Sequence, residues 1–264
     1  MSRLRKRFER NALIPYLTAG YPDLETSKRL LLTAARDGAD IIEIGIPFSD
    51  PLADGPILQE AAGQALQNGT TIAKVMEIAG EVYEEIRREG LNTELVFMVY
   101  YNLVYSWGED RFVEAAAKAG VAGLIVPDLP YEEASGLAEK AEEAGMDLIY
   151  LVAPNTPPER IQQIGERSRG FIYAVSLHGV TGPREKLPKD LTELVARIKA
   201  NVDVPVAVGF GISSAEQAVE VTKIADGVII GSVLAQLVKE AEDPCDALGQ
   251  FIGQLRAALD NSRN

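Results

Sequence analysis

The chain has 264 residues, of which 39 are acidic and 26 are basic, so its net charge is −13. An excess of negative charge this large disfavours nucleic acids and anionic membranes as partners. Hydrophobic residues make up 47% of the chain and charged residues 25%, which is ordinary globular usage and argues against a disordered chain.

The cysteine and histidine counts limit the possible disulfides, metal sites and cellular compartments. The single cysteine, Cys245, excludes an intrachain disulfide and is typical of a reducing, cytoplasmic setting. With one histidine, His178, a structural zinc site is not expected. The basic first ten residues are not followed by an apolar stretch, and no apolar run is long enough to span a membrane. We therefore expect a cytoplasmic protein without a secretory signal.

Short apolar runs alternate with amphipathic segments along the whole chain. Runs that are apolar almost throughout are typical of parallel strands covered on both faces. The predicted strands are Leu13–Thr18, Ile41–Ile44, Leu95–Val99, Gly123–Val126, Asp147–Val152, Phe171–Val175, Val206–Val208 and Gly227–Ile230. The helices predicted between and after them are Thr26–Asp37, Thr71–Arg88, Arg111–Ala119, Tyr131–Ala144, Pro158–Arg167, Leu191–Lys199, Ser214–Lys223 and Val233–Glu240.

Three segments fall outside this repeat. They are a short helix before the first strand, the stretch Gly55–Gln67 after the second strand, and a C-terminal helix near Asp246–Leu259. No linker or change of composition divides the chain, and a (β/α)8 barrel needs about 250 residues. We therefore predict an α/β fold in which residues 1–264 form one domain, a single (β/α)8 TIM barrel with extra helices at the N-terminus, after strand 2 and at the C-terminus.

The second predicted strand carries a glutamate, Glu43, inside an apolar run, where a charge is unfavourable. A proline-rich loop follows and contains Asp54. Active sites of barrels lie at the carboxyl ends of the strands, so we predict acid–base chemistry by Glu43 and Asp54. The alternatives are a buried acid paired with a backbone or tyrosine donor for Glu43, and a helix-capping role for Asp54.

Glycine-rich loops follow the last three predicted strands, with the sequences GVTG, GFGISS and GS. Backbone N–H groups near glycine at the start of a helix can bind an anion, and the loops after strands 7 and 8 are the usual phosphate position in this fold. We predict a phosphate site there. The alternative is tight turns that need glycine for backbone reasons alone.

Elimination leaves the carboxylates as the catalytic candidates. No lysine lies at the end of a predicted strand, and His178 has no second imidazole near it. A Schiff base or a histidine-rich metal site is therefore not expected.

The segment IEIGIPFSDPLADGP closely resembles a segment of the tryptophan synthase α-subunit family. Further similar segments occur in the same order along nearly the whole chain: IPYLTAGYPD, VYYNLVYSWG, VPDLPYEE, APNTP, VSLHGVTG, VAVGFGISS and VIIGSVL. The resemblance implies a lyase on a (β/α)8 barrel. It would cleave indole-3-glycerol phosphate to indole and D-glyceraldehyde 3-phosphate, in tryptophan biosynthesis, without a cofactor of its own.

The same resemblance implies roles for individual residues. The catalytic pair falls on Glu43, as proton shuttle, and Asp54, as acceptor of the indole N–H. Phosphate binding falls on Gly182, Phe210, Gly211, Gly231 and Ser232. The indole pocket falls on Tyr16, Met98, Ile125, Leu151 and Tyr173, with Thr181 in a closing loop beside Asp54.

A partner is also implied by the resemblance. The family pairs with a β subunit that holds pyridoxal phosphate, as an αββα heterotetramer, and passes indole to it through a tunnel. Asp50, Pro51 and Asn102 would face that partner. The sequence departs from the family at Leu177 and His178, so the loop after strand 6 is expected to close differently.

Two other functions remain open on the residues alone. A sugar-phosphate isomerase or epimerase could use Glu43 as an enolising base, although Tyr16 and Tyr173 favour a larger, flat substrate. A binding or activating subunit with weak chemistry of its own is the other alternative, and the intact pair of carboxylates argues against it.

Overall fold

The computed structural model describes residues 2–175, 187, 189–209 and 211–262. Within these ranges eight parallel strands close into a barrel in sequence order, β1 to β8. The strands are β1 Ala12–Thr18, β2 Ile41–Gly45, β3 Glu94–Met98, β4 Gly123–Ile125, β5 Asp147–Val152, β6 Ile172–Val175, β7 Val206–Gly209 and β8 Gly227–Ile230. The predicted (β/α)8 barrel is confirmed.

Helices surround this barrel and include the predicted extra segments, the first of which is a 3-10 helix over Arg5–Phe8. The α-helices are α1 Leu24–Arg36, α2 Pro56–Gln67, α3 Ile72–Arg88, α4 Tyr101–Trp107, α5 Glu109–Lys118, α6 Ser135–Glu143, α7 Pro158–Arg167, α8 Lys189–Asn201, α9 Ala215–Thr222, α10 Ser232–Glu240 and α11 Pro244–Asn261. Here α2 is the extra helix after β2, and α11 is the C-terminal one.

Several element ends differ from the prediction, for local reasons. Helix α1 begins two residues earlier than predicted because Asp23 is its cap: the Asp23 side chain accepts the Thr26 N–H at 2.9 Å. Helix α4 was not predicted, since seven residues are too few to show a helical period. Gly108, with φ +89°, separates α4 from α5.

The N-terminal ends of the strands are closed by apolar packing. Leu4 is fully buried in the cluster that fills the barrel interior. The Phe8 ring lies 5.4 Å from that of Phe171, which belongs to the same cluster. Since described side chains fill this end, we look for the site at the carboxyl ends of the strands.

A buried ion cluster ties the C-terminal helix to the same closed end. The Asp40 carboxylate precedes β2 and accepts the Leu13 N–H at 2.9 Å. It also pairs with Arg10 at 2.7 Å and with Arg256 of α11 at 2.9 Å. Asp40 and Arg256 are 6% and 7% exposed, so both charges depend on these partners.

The Arg256→Met variant is expected to lose about 3 kcal/mol of stability, because Asp40 would remain buried with one partner fewer. Urea unfolding measures the loss. The matched control is Arg36→Met, which breaks an exposed pair with Glu89 and should cost less than about 1 kcal/mol. Equal losses in the two variants would contradict a stabilising role for the buried cluster.

Candidate active site

Glu43 lies in the middle of β2 and faces the barrel interior. It is 1% exposed and stands opposite Tyr16 of β1 and Val96 of β3 in the strand register. Among the described residues, its Oε2 atom has no hydrogen-bond partner. Burial, and then the charge of Asp54, raises the pKa of Glu43 to about 8. The side chain is therefore a protonated acid at neutral pH.

Asp54 lies half-buried in the loop between β2 and α2. Its backbone N–H donates to the Pro51 carbonyl at 3.0 Å, and its side chain is hydrogen-bonded to the Tyr100 hydroxyl. Burial raises the pKa of Asp54 to about 6, against the hydrogen bond from Tyr100, so the group is ionised at neutral pH. The capping alternative is wrong: Gly55 is the N-cap of α2, without a side-chain cap.

Two tyrosines share this space with the carboxylates. Burial raises the pKa of Tyr16, and the negative charges of Asp54 and Glu43 raise it further. Burial likewise raises the pKa of Tyr173, with further contributions from Glu43, Tyr16 and Asp54. Because each of these groups affects the pKa of another, the four side chains must lie close together. Both phenols keep their protons near neutral pH.

Two glycines make room for these phenols. A Cβ atom at Gly45 would lie 2.1 Å from the Tyr16 hydroxyl oxygen, and one at Gly209 would lie 2.6 Å from that of Tyr173. The sequence predicted no role for Gly45, and it predicted Gly209 only as part of a phosphate-binding loop. An isolated glycine at the end of a strand signals a close approach and could have revealed both.

The strand register brings the predicted apolar residues onto the same inner surface. Met98 pairs with both Gly45 and Ile125, and Leu151 pairs with Tyr173. Ile125 is buried in the cluster that fills the barrel, and the other three side chains pack against that cluster while remaining partly exposed. The result is an apolar wall beside the acids.

The predicted phosphate residues are divided between described and undescribed parts of the chain. Gly211 follows β7 with φ +69°, and Gly231 is the N-cap of α10 without a side-chain hydrogen bond. Ser232 is the first residue of α10. Since β7 and β8 are paired, Gly211 and the start of α10 follow neighbouring strands. Phe210, Thr181, Gly182, Leu177 and His178 lie outside the described residues.

The starts of α9 and α10 differ in how their N–H groups are satisfied. At α9, Ser214 caps the Gln217 N–H, and the Gln217 side chain accepts the Ser213 N–H at 2.8 Å. At α10 no side chain performs this function within the described chain. The first turn of α10 therefore has backbone N–H groups that can bind an anion. The first turn of α9 has fewer of them, because side chains already accept from its N–H groups.

The predicted partner-facing residues lie on an exposed edge of the site, with one exception. Asp50 and Asn102 are exposed, but Pro51 is buried, because it forms the turn that holds Asp54. Two large hydrophobic side chains close to these residues in sequence are strongly exposed: Leu52, at 90%, and Tyr105 of α4, at 70%.

A cavity of about 300 Å³ lies beside β4 and β5 and shares Leu151 with the apolar wall. Residues 126–131 and 148–151 line it together with Ala134, the N-cap of α6, and part of α7, and neither Glu43 nor Asp54 does. Its Arg160 side chain is paired with Glu132 at 2.6 Å, and Asp128 accepts the Tyr101 N–H at 2.8 Å. With these polar groups engaged elsewhere, we do not assign the chemistry to this cavity.

Two features are absent from the described residues. These residues contain no group of three or more His, Cys, Asp and Glu side chains arranged to hold a metal ion. Within the same residues, no helix has the length and apolar character needed to cross a membrane.

Comparison with known proteins gives a consistent result. The family model described as "Tryptophan synthase alpha chain" matches residues 1–260. The protein of that name from Dehalococcoides mccartyi is 47% identical over 261 residues, covering 98% of this chain and 100% of the relative. The one from Gloeobacter violaceus is 47% identical, covering 94% of this chain and 89% of the relative.

Solved structures agree with the sequence comparison. A chain of tryptophan synthase from Mycobacterium tuberculosis has a TM-score of 0.89 at 39% identity, covering 98% of each chain. Tryptophan synthase subunit alpha from Legionella pneumophila has a TM-score of 0.89 at 35% identity, covering 99% of each chain.

The Glu43→Gln variant is expected to be more stable than the parent, by a larger margin at high pH. The pKa of Glu43 rises from 4.5 to about 8 on folding, so the parent loses stability as the pH rises through this window. Glutamine removes that loss. The gain at about pH 8.5 should exceed the gain at about pH 5.5 by about 3 kcal/mol, measured by urea unfolding.

The matched control is Glu133→Gln on an exposed turn, which should change stability little at either pH. A pH-independent effect of Glu43→Gln would contradict the inferred protonation of Glu43.

Proposed function

This chain belongs to the tryptophan synthase alpha chain family, and we propose that Glu43 and Asp54 together cleave indole-3-glycerol phosphate to indole and D-glyceraldehyde 3-phosphate. Members of the family are lyases that act on this carbon–carbon bond. The family match favours this reaction over sugar-phosphate isomerisation.

One observation carries the assignment of roles: two neighbouring carboxyl groups differ in protonation at neutral pH. The pKa is about 8 for Glu43 and about 6 for Asp54. Between these values Glu43 can donate a proton while Asp54 bears a charge. Paired titratable groups with separated pKa values are typical of acid–base sites.

The first step is protonation of the indole ring. Glu43 transfers its proton to C3 of the indole, which leaves a positive charge on the ring. Asp54 accepts a hydrogen bond from the indole N–H and stabilises this charge as it develops. The rigid strand around Glu43 suits it to a transfer that needs fixed geometry, since proton transfer requires hydrogen-bond contact.

The second step breaks the carbon–carbon bond. Glu43, now ionised, takes the proton from the hydroxyl on the carbon attached to C3. The bond electrons return to the ring, and the glycerol carbon becomes an aldehyde. Indole and the aldehyde leave, and Glu43 has regained its proton, so the cycle consumes no external acid or base.

The two ends of the substrate have different binding requirements. The apolar wall formed by Met98, Ile125 and Leu151, with the phenols of Tyr16 and Tyr173, suits a flat aromatic ring. The backbone N–H groups at Gly211 and at Gly231–Ser232 suit the phosphate, which they can bind without a cationic side chain. A chain with a net charge of −13 needs such local donors to hold an anion. The family match supports a subunit without its own cofactor.

We also propose that the chain works with a β subunit, as an αββα heterotetramer in which pyridoxal phosphate belongs to the partner. Exposed Leu52 and Tyr105 support this proposal, because large apolar side chains at 90% and 70% exposure are costly unless a partner covers them. Leu52 lies in the loop that carries Asp54, so a partner that covers it would contact the element that completes the site.

The Glu43→Gln variant should release indole from indole-3-glycerol phosphate about a hundred- to ten-thousandfold more slowly than the parent, because it cannot shuttle a proton. Asp54→Asn keeps an acceptor for the indole N–H but loses the charge, so its loss should be smaller, about a hundredfold. Indole release is measured with and without added β subunit. A purely regulatory chain would yield no indole in either condition, and near-parental turnover by Glu43→Gln would refute its role.

The Leu52→Ala and Tyr105→Ala variants should each weaken β-subunit binding about tenfold, by removing apolar surface that the partner covers. Isothermal titration calorimetry measures the dissociation constant. The matched control is Arg88→Ala, an exposed residue at the C-terminal end of α3, where no effect is expected. If both alanine variants bound like the parent, the partner would contact another face.

A further inference from the structure

We infer that Tyr100 is a positioning residue that fastens the loop Phe48–Asp54 to the end of β3 and aims the Asp54 carboxylate into the site. This deepens the proposed function and rests on it for the role of Asp54. The contacts themselves are independent of any reaction.

The phenol of Tyr100 makes two hydrogen bonds to the loop. Its oxygen accepts the backbone N–H of Ala53 at 2.9 Å. Its O–H donates to the Asp54 side chain. A phenol has one proton to donate and lone pairs to accept with, so both bonds form at once. One side chain thereby fixes the backbone before Asp54 and the carboxylate itself.

The aromatic ring adds a third contact with the same loop. The rings of Tyr100 and Phe48 are stacked, with centroids 5.1 Å apart and planes at 28°. Phe48 is at the start of the loop and Asp54 is near its end, so Tyr100 contacts both ends. Offset aromatic pairs of this kind contribute about 1 kcal/mol beyond their burial.

Tyr100 is itself held in place. It is 4% exposed and follows Val99, whose N–H donates to the Ile125 carbonyl at 2.9 Å as a continuation of the β3–β4 pairing. The loop, in contrast, exposes Leu52 to 90%, and of its residues 48–54 only Pro51 is buried. The support for Asp54 therefore comes from the barrel wall through Tyr100.

The contact also has an electrostatic effect on Asp54. Burial raises the pKa of Asp54, and the hydrogen bond from Tyr100 opposes this rise. Removing the hydroxyl would move the pKa of Asp54 further up and leave less of the anion at neutral pH. Tyr100 thus keeps Asp54 in both the position and the charge state that indole binding requires.

The decisive variant is Tyr100→Phe, which keeps the ring stacked on Phe48 and removes only the hydroxyl. We expect kcat for indole release to fall about tenfold or more, since a hydrogen bond to a charged group is lost, with a smaller change in KM. The acid limb of the kcat profile should move to higher pH, while the basic limb, governed by Glu43, stays in place.

The matched control is Tyr101→Phe. The Tyr101 hydroxyl donates to Glu109 at 2.6 Å and makes no hydrogen bond to the loop among the described residues, so its loss should leave kcat and the pH profile unchanged. A general loss of packing after β3 would affect both variants alike, whereas the proposed tether affects only Tyr100→Phe.

Two readouts do not depend on activity. Hydrogen–deuterium exchange of a peptide covering Ala53 should speed up in Tyr100→Phe and not in Tyr101→Phe. A carbon NMR titration of Asp54 should show a raised pKa in Tyr100→Phe only. If the parent released no indole, the proposed function would fail and these two readouts would still decide the tether. Parent-like exchange and titration in Tyr100→Phe would overturn it.

Discussion

A carboxyl group buried without a compensating charge underlies the chemistry of this protein. Glu43 is 1% exposed on the inner face of β2, and no described side chain donates to its Oε2 atom. Removing a carboxylate from water is unfavourable, so the group keeps its proton until about pH 8. The nearby charge of Asp54 strengthens this effect. On the protein surface this carboxyl group would be ionised at neutral pH, whereas here it keeps its proton and can donate it.

The two ends of the barrel treat buried charge in opposite ways. At the closed end, the Asp40 carboxylate is satisfied by Arg10, Arg256 and the Leu13 N–H. At the open end, Glu43 has no such partner on Oε2. Ion pairs at the closed end contribute to the stability of the fold, while the unpaired acid at the open end sacrifices stability for reactivity. The same chemical group, a buried carboxyl, serves two purposes because its surroundings differ.

Asp54 and Glu43 affect each other through their charges. The position of the Asp54 carboxylate has a separate origin. Asp54 lies on a loop with one strongly exposed residue, Leu52, and reaches the barrel wall through Tyr100. A surface that favours a partner is therefore continuous with the element that carries a reacting group. Docking at Leu52 and the orientation of Asp54 would be coupled through a segment of only a few residues, which gives a physical route for regulation.

The amino-acid sequence by itself determined the barrel and pointed to Glu43 and Asp54, which the fold brings close together. Strand and helix periods, together with glutamate in an apolar run, depend on neighbours along the chain and can be read directly. The burial of Pro51 and the hydrogen bond from the Asp54 N–H to its carbonyl could not be read from the sequence in this way. Helix α4 was missed because it is short.

Only the tertiary structure decided how these groups act together. The opposite protonation of Glu43 and Asp54, the space that Gly45 leaves for Tyr16, and the tether from Tyr100 to Asp54 all join residues on different strands or loops. Burial and distance across the barrel set each of them. A sequence records which side chains are present, whereas desolvation and hydrogen bonding between distant residues exist only once the chain has folded.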